Sequence, residues 1–262
     1  MNSISAHGLQ TVPVDLGHGC IGEYSAPIGE PAKIVAVLCP GRGADLRPLD
    51  FVRSMLVERG IAALGVRFRG ESARHDDDDC LAGISYIDSL LESPDEAARV
   101  LLIGHSRGGM SVLRTGAKSD RLVGIISLTP ICDLASYTRT LREYSRTLSD
   151  RFDGNYGITG NVTDDNIIFN ELSPINFASR IRVPTLLVAG AIDHVAPADQ
   201  VASMANRINS KTPGLAKLMI GDRLGHFFDY PYGGDGTSVI TEFIVDWLEQ
   251  EMAIASNRSS VA

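Results

Sequence analysis

Hydrophobic residues along the chain follow two patterns, which are short continuous runs and longer stretches with helical spacing. The run at 34–39 is apolar at every position, as expected of a strand covered on both faces of a sheet. After it, Leu49, Val52 and Leu56 recur at intervals of three and four, which predicts a helix. Further strands are predicted at 61–66, 99–104, 122–128, 184–190 and 215–220. Strands that alternate with helices predict an α/β fold, with a mostly parallel central sheet and helices on both faces.

The two ends of the chain depart from this alternation. The runs at 12–16 and 21–25 flank a short glycine-rich turn and predict an N-terminal hairpin. Apolar residues around Trp247 predict a closing helix. We expect a single domain over residues 1–252 and a flexible tail over 253–262.

The segment 133–172 separates two predicted core strands and is longer than a normal connection. Apolar residues recur in it with helical spacing at Leu134, Tyr137, Leu141, Tyr144 and Leu148, while the opposite face carries Arg139, Arg142 and Arg146. We therefore expect a short helical cap insertion over the carboxyl edge of the sheet. A solvated outer surface is the favoured interpretation of the arginine face, and a binding surface for an anionic substrate group is the alternative.

Composition narrows the class of protein. The 262 residues include 24 basic and 32 acidic side chains, and the net charge of −8 argues against a nucleic-acid partner. No apolar run approaches the roughly 18–20 residues that cross a bilayer, and the first residues lack the features of a signal peptide. Four scattered cysteines, none in a C-x-x-C pair, argue against a disulfide framework or a zinc site. These features predict a cytoplasmic protein without a membrane partner.

The motif Gly-His-Ser-Arg-Gly-Gly at 104–109 carries the strongest chemical signal. It follows a predicted strand and precedes a helical run. A strand that turns this sharply into a helix needs small residues on both sides of the serine, whose hydroxyl then stands exposed. The amide of Arg107 would begin the helix, where it can stabilise a developing oxyanion. We predict that Ser106 is a nucleophile, and a purely structural serine is the alternative.

A serine hydroxyl is a weak nucleophile unless a base takes its proton and an acid orients that base. Asp193 and His226 each follow a late strand, at the carboxyl edge where ligands gather in open α/β sheets. We predict that Asp193 is the acid and His226 the base. Asp133, which follows an earlier strand, is the alternative acid. His105 and His194 are interpreted as structural neighbours of the site.

The nucleophile, acid and histidine, in that order, resemble the α/β-hydrolase superfamily over about residues 34–251. Within it, Arg-Phe-Arg-Gly-Glu-Ser at 67–72, Leu-Ser-Pro-Ile at 172–175 and Ile-Arg-Val-Pro at 181–184 are similar to prolyl-oligopeptidase-type catalytic domains and related single-domain esterases. The resemblance implies an α/β-hydrolase domain with a cap, a Ser-His-Asp triad, an acyl-enzyme intermediate, and no metal or other cofactor.

The resemblance also implies an oxyanion hole built from the backbone amides of Arg42 and Arg107. The chain departs from many relatives here, because Pro-Gly at 40–41 replaces the more usual His-Gly. Arginine occupies both donor positions. We expect these two side chains to narrow the mouth of the site or to meet a negatively charged substrate.

These motifs predict a serine hydrolase that cleaves a carboxylic ester or thioester of a small molecule. Only about 30 residues precede the first core strand, so we expect an open or cap-gated pocket without a propeller, which favours an esterase over a peptidase. The alternatives are a peptidase or amidase, a biosynthetic acyltransferase or cyclase, a lyase, and a non-catalytic binding protein. A homodimer is expected only because it is the commonest oligomer.

Three further motifs have simpler interpretations. The G-x-G-x-x-G match at 17–22 joins two predicted strands and opens no helix, which argues against dinucleotide binding. The four aspartates at 76–79 lack the alternating spacing of a calcium loop, and we interpret them as the start of a helix. The sequon at 161–163 has no signal peptide to accompany it.

Overall fold

The computed structural model describes residues 3–4, 10–28, 32–70, 72–90, 99–144, 146–147, 150, 167–228 and 235–259. Within these ranges the strands are β1 (Ser3–Ile4), β2 (Gln10–Gly17), β3 (Cys20–Ser25), β4 (Ile34–Cys39), β5 (Ala62–Arg67), β6 (Arg99–His105), β7 (Leu122–Leu128), β8 (Thr185–Gly190) and β9 (Ala216–Gly221). They form one sheet in the order β1-β2-β3-β5-β4-β6-β7-β8-β9.

The sheet is parallel from β5 to β9 and antiparallel at the other edge, where β1, β2 and β3 pair in sequence. All six residues of β4 are buried, as the continuous apolar run predicts. The predicted hairpin is also confirmed, since β2 and β3 pair on either side of the turn at 18–19.

The helices are α1 (Asp50–Glu58), α2 (Asp76–Ser89), α3 (Arg107–Gly116), α4 (Leu134–Tyr144), α5 (Ile167–Leu172), α6 (Ala198–Asn209) and α7 (Thr237–Ser259). Two apolar cores cover the two faces of the sheet. On one face Val37 packs in the same core as Ile84 of α2 and Val201 of α6. On the other face Leu38 shares a core with Val52 of α1 and Trp247 of α7. Consecutive residues of β4 thus face opposite layers, which confirms the predicted α/β-hydrolase architecture.

Strand β1 and helix α6 were not predicted from the sequence. Strand β1 has only two residues, and α6 carries its buried apolar residues at Val201, Met204, Ala205 and Ile208. The helical spacing of those four positions was a usable signal for α6. Helix α7 extends to Ser259 and so continues into the range 253–262 that we predicted as a tail. The division into a domain and a tail stays a prediction.

Helices α4 and α5 form the two described ends of the predicted cap segment, and residues 151–166 between them lie outside the described residues, as does Leu148. Leu134 and Tyr137 are buried in a third apolar core, as their spacing predicts. That core also includes Met110 of α3 and Ala196, which follows β8. The inner face of α4 therefore contacts the helix after Ser106 and the loop that carries Asp193. Arg139 and Arg146 are exposed, and Arg142 is half-buried.

All four cysteines are buried and carry free thiols. The sulfur atoms of Cys39 and Cys80 lie 3.2 Å apart, in the layer between β4 and α2. Burial raises the pKa of the Cys20 thiol to about 12 and also raises the pKa of Cys132. Within the described residues, no helix is long and apolar enough to cross a membrane.

Candidate active site

Ser106 lies between β6 and α3 in a strained backbone conformation. Its φ of 55° and ψ of −116° fall in a region that residues with a side chain rarely adopt. Two hydrogen bonds fix the backbone of Ser106. Its amide donates to the carbonyl of Leu128 at 2.8 Å, and the carbonyl of Ser106 accepts from the amide of Met110 at 3.0 Å. A sharp strand-to-helix turn of this kind places the serine hydroxyl at the carboxyl edge of the sheet.

Two glycines of the motif allow this turn. A Cβ atom on Gly104 would lie 2.2 Å from the Gly108 carbonyl oxygen, and one on Gly108 would lie 2.0 Å from the Cys39 carbonyl oxygen. Both distances are far below van der Waals contact with backbone, so any side chain would force the turn apart. The same close approach brings the end of β4 against the first turn of α3.

The structure brings Ser106, His226 and Asp193 together in one hydrogen-bonded chain. Nε2 of His226 lies 2.8 Å from Oγ of Ser106, and Nδ1 lies 2.8 Å from Oδ2 of Asp193. All three side chains are buried. The other carboxylate oxygen, Oδ1, accepts from the amides of Val195 and Ala196, both at 2.7 Å. Because the loop holds one oxygen, the other faces the imidazole in a fixed orientation.

The alternative acid, Asp133, has a structural role. Its Oδ1 accepts a hydrogen bond from the amide of Ser136 at 2.9 Å, which caps the start of α4. Its own amide donates to Oε1 of Gln200. The carboxylate that contacts His226 belongs to Asp193.

The two neighbouring histidines lie in different environments. His194 is exposed. His105 is 1% exposed, and its Nε2 lies 2.9 Å from the backbone carbonyl oxygen of His226. Burial, and secondly the charge of His226, lower the pKa of His105 to about 4, so its ring is neutral near neutral pH.

The two arginines at the implied oxyanion positions also differ. Arg42 is exposed and follows Gly41, where an added Cβ would lie 3.5 Å from Cβ of Ser106. The segment 40–42 therefore runs beside Ser106. Arg107 is 3% exposed, and its guanidinium donates two hydrogen bonds, of 2.7 and 2.6 Å, to the carboxylate of Asp76. The expectation that both side chains face the mouth is wrong for Arg107, because its ion pair turns it toward α2.

The aspartates at 76–79 begin α2 as predicted, but the sequence did not reveal their partners. Asp76 pairs with Arg107 and also accepts a hydrogen bond from Ser111 at 3.0 Å. Asp77 pairs with Arg114, which is also buried. Two buried ion pairs therefore join the first turns of α2 to α3, the helix that follows Ser106. The seven-residue spacing of Arg107 and Arg114, which places them on one face of a helix, was a signal for this contact.

The described residues include no group of three or more histidine, cysteine, aspartate or glutamate side chains arranged to hold a metal ion. What the site offers is a hydroxyl paired with an imidazole, a carboxylate that orients the imidazole, and helix-end backbone beside the hydroxyl. These are the groups that acyl transfer through a serine requires.

Sequence similarity relates the chain to one protein family. The sequence matches the prolyl oligopeptidase family over residues 51–254. It is 22% identical over 195 residues to acylamino-acid-releasing enzyme 2 from Oryza sativa subsp. japonica, an alignment that covers 73% of this chain and 24% of that protein. The chain thus spans about a quarter of the length of this curated relative.

Solved structures show the same fold. An acylaminoacyl peptidase from Pyrococcus horikoshii superposes with a TM-score of 0.73 at 20% identity, over 92% of this chain and 40% of that one. Est1E from Butyrivibrio proteoclasticus superposes with a TM-score of 0.71 at 18% identity, over 93% of this chain and 99% of that one. The Pyrococcus furiosus esterase Pf2001 gives 0.70 at 14% identity, over 93% and 92%. The chain therefore belongs to the prolyl oligopeptidase family of serine hydrolases and has the α/β-hydrolase fold.

Proposed function

We propose that the protein hydrolyses a carboxylic ester or thioester of a small molecule, with Ser106 as nucleophile, His226 as general base and Asp193 as the acid that orients the base. The observation that carries the proposal is the continuous chain of two 2.8 Å hydrogen bonds from Asp193 through His226 to a serine in a strained turn. The carboxylate of Asp193 accepts a hydrogen bond from Nδ1–H of His226, and this tautomer leaves Nε2 unprotonated toward the hydroxyl.

In the first half-reaction, Nε2 of His226 takes the proton of Ser106 as Oγ attacks the carbonyl carbon of the substrate. The backbone amides of Arg42 and Arg107 stabilise the resulting oxyanion, and one such donor contributes about 2.7–4 kcal/mol. His226 then gives the proton to the leaving alcohol or thiol as the bond between carbonyl carbon and leaving group breaks. The product is an acyl-enzyme on Ser106.

In the second half-reaction, His226 takes a proton from water, whose oxygen attacks the acyl carbon. The proton returns to Oγ as the acid leaves, and the free hydroxyl is restored. Asp193 stays ionised throughout and stabilises the imidazolium that forms in each half.

The preference for esters is supported by the relatives of similar length. Est1E covers 93% of this chain and is itself covered over 99%, and Pf2001 is an esterase matched over most of both chains. A peptidase or amidase is the second candidate, favoured by the family match and by the acylaminoacyl peptidase of P. horikoshii, of which this chain covers 40%.

The test begins with a fluorophosphonate probe, followed by peptide mass spectrometry to locate the modified residue. We expect labelling at Ser106 and its loss in His226→Ala and Ser106→Ala. No labelling of the folded wild-type protein would contradict the proposal and favour a non-catalytic binding protein.

Substrates that share one acyl group then separate the candidates. We expect hydrolysis of a p-nitrophenyl ester to exceed that of the matching p-nitroanilide by several orders of magnitude in kcat/KM. Comparable rates would favour the peptidase. Capture of the acyl group by an added alcohol or amine in preference to water would favour an acyltransferase.

A further inference from the structure

We propose that His105 is a positioning residue for the reaction, holding the backbone of the general base while Ser106 contacts its side chain. This inference rests on the proposed function. His105 and Ser106 are consecutive, so the end of β6 contacts the same residue, His226, at two points. Nε2 of His105 lies 2.9 Å from the carbonyl oxygen of His226, and Oγ of Ser106 lies 2.8 Å from its Nε2.

The direction of the hydrogen bond fixes the tautomer of His105. A carbonyl oxygen accepts only, so Nε2 of His105 carries the proton and donates it. Nδ1 then has no proton and faces Gly41, where an added Cβ would lie 3.3 Å away. Nδ1 is buried and has no hydrogen-bond partner among the described residues. Burying this nitrogen without a partner costs free energy, which an apolar side chain at 105 would avoid.

Neutrality of His105 suits this role. Its ring centre lies 5.2 Å from that of His226, which becomes an imidazolium during the reaction. A charged His105 would oppose that change, whereas a neutral ring donates the same hydrogen bond without a competing charge. The titratable groups that act on His105 are His226, which disfavours its protonation, and Asp193, which favours it.

The contact matters because His226 lies in a loop rather than in a strand or helix. The side chain of His226 is hydrogen-bonded to Ser106 and Asp193. In addition to the bond from His105, its backbone carbonyl accepts a second, longer hydrogen bond of 3.4 Å from Oγ1 of Thr129. A displacement of about 1 Å between reacting groups can cost about 100-fold in rate. Removing the 2.9 Å bond would leave the carbonyl of His226 with the longer bond from Thr129, among the hydrogen bonds of the described residues.

The experiment compares His105→Gln with His105→Leu. The glutamine amide reaches about as far as Nε2 of histidine and keeps a neutral donor, whereas leucine is of similar size without a donor. The readout is the rate of fluorophosphonate labelling of Ser106, analysed for saturation so that the maximal rate constant and the half-saturating concentration are separated. This readout does not depend on the natural substrate.

We expect His105→Leu to lower the maximal rate by about 10- to 100-fold with little change in half-saturation. We expect His105→Gln to recover most of that loss. The melting temperature should be higher for His105→Leu than for His105→Gln, because an amide is less favourable than an apolar side chain in the core. If leucine prevents folding, His105→Phe serves as the apolar variant. Thr129→Val is a matched control that removes the longer bond to the same carbonyl, with a smaller expected effect.

Two results in the variants would overturn this role while the proposed function stands. If labelling by the leucine variant equals or exceeds that of the glutamine variant, His105 only fills the core. If both variants lose rate in proportion to their loss of stability, the same conclusion holds. A wild-type protein that is not labelled at Ser106 would overturn the proposed function, and the role of His105 with it.

Discussion

The turn at Ser106 is attached to the rest of the molecule by two kinds of contact. On one side, the loops after β8 and β9 bring Asp193 and His226 to Ser106 through hydrogen bonds. On the other side, α3 is joined to α2 by buried ion pairs, of which Asp76–Arg107 is the nearest to the serine. We call these the loop side and the helix side. In the proposed mechanism the loop side holds the groups that exchange protons, whereas the helix side holds buried ion pairs between α2 and α3.

This difference separates activity from stability. A change on the loop side should remove a proton-transfer partner and leave the cores intact. A change on the helix side should leave a buried charge without its partner, which is among the more destabilising changes that a protein can suffer. Substitutions of similar size on the two sides therefore test the comparison directly.

The largest effect is expected on the loop side. Asp193→Asn should lower turnover by about 10⁴-fold, because an amide favours the wrong tautomer of His226, while the melting temperature changes little. Asp133→Asn is the matched control, because asparagine also caps a helix and should keep both activity and stability. Equal losses of turnover in the two variants would reopen the choice of acid.

The next effect is expected on the helix side. Asp76→Ala should lower the free energy of unfolding by about 3–5 kcal/mol, since the guanidinium of Arg107 stays buried and loses its carboxylate. Urea unfolding followed by circular dichroism measures it. The double variant Asp76→Leu/Arg107→Met, which removes both charges, should recover much of the loss. A loss below about 1 kcal/mol in the single variant would mean that water reaches the pair.

His105, which ends β6 and contacts the loop side through the carbonyl of His226, predicts a dependence of stability on pH. The pKa of His105 falls from 6.5 to about 4 on folding, so the unfolded chain binds a proton in this interval and the folded chain does not. The free energy of unfolding should therefore fall by about 3 kcal/mol as the pH drops from about 7.5 to about 4, and this contribution is constant above about 7.5. His105→Leu should flatten this part of the stability profile. An unchanged slope would assign the acid sensitivity to other groups.

The smallest effect is expected where an ion pair is exposed. Arg121 and Asp88 are each 40% exposed, and Arg121→Ala should change the free energy of unfolding by less than about 1 kcal/mol. Measured beside Asp76→Ala, it separates the effect of burial from the effect of charge. A similar loss in the two variants would show that burial does not distinguish the helix side.

The sequence predicted the parts of the fold that depend on local pattern. Each of three local patterns predicts one local structure. These are the apolar run of β4, the turn of the hairpin, and the small residues around Ser106. The order of Asp193 and His226 after late strands was enough to bring them to one edge, because parallel strands share a direction.

The helix side was harder to predict because its contacts join distant residues. Asp76 precedes Arg107 by 31 positions, and the aspartates were interpreted only by their place at a helix start. Nothing in the type of residue at 107 says whether its side chain faces the mouth or a neighbouring helix. The contact of His105 with the backbone of His226 could not be predicted either, since every residue has a backbone carbonyl and residue type does not indicate which one is contacted.

The buried cysteines give this protein an internal reporter of opening. In the folded chain burial suppresses the thiolate, and the pKa of Cys20 stands at about 12, whereas an unfolded chain exposes ordinary thiols. A thiol reagent at neutral pH should therefore count molecules that have opened. Arg139→Cys would add an exposed thiol that reacts first in the folded protein, and a spectroscopic label attached there would report on the surroundings of α4 while the buried thiols report on opening.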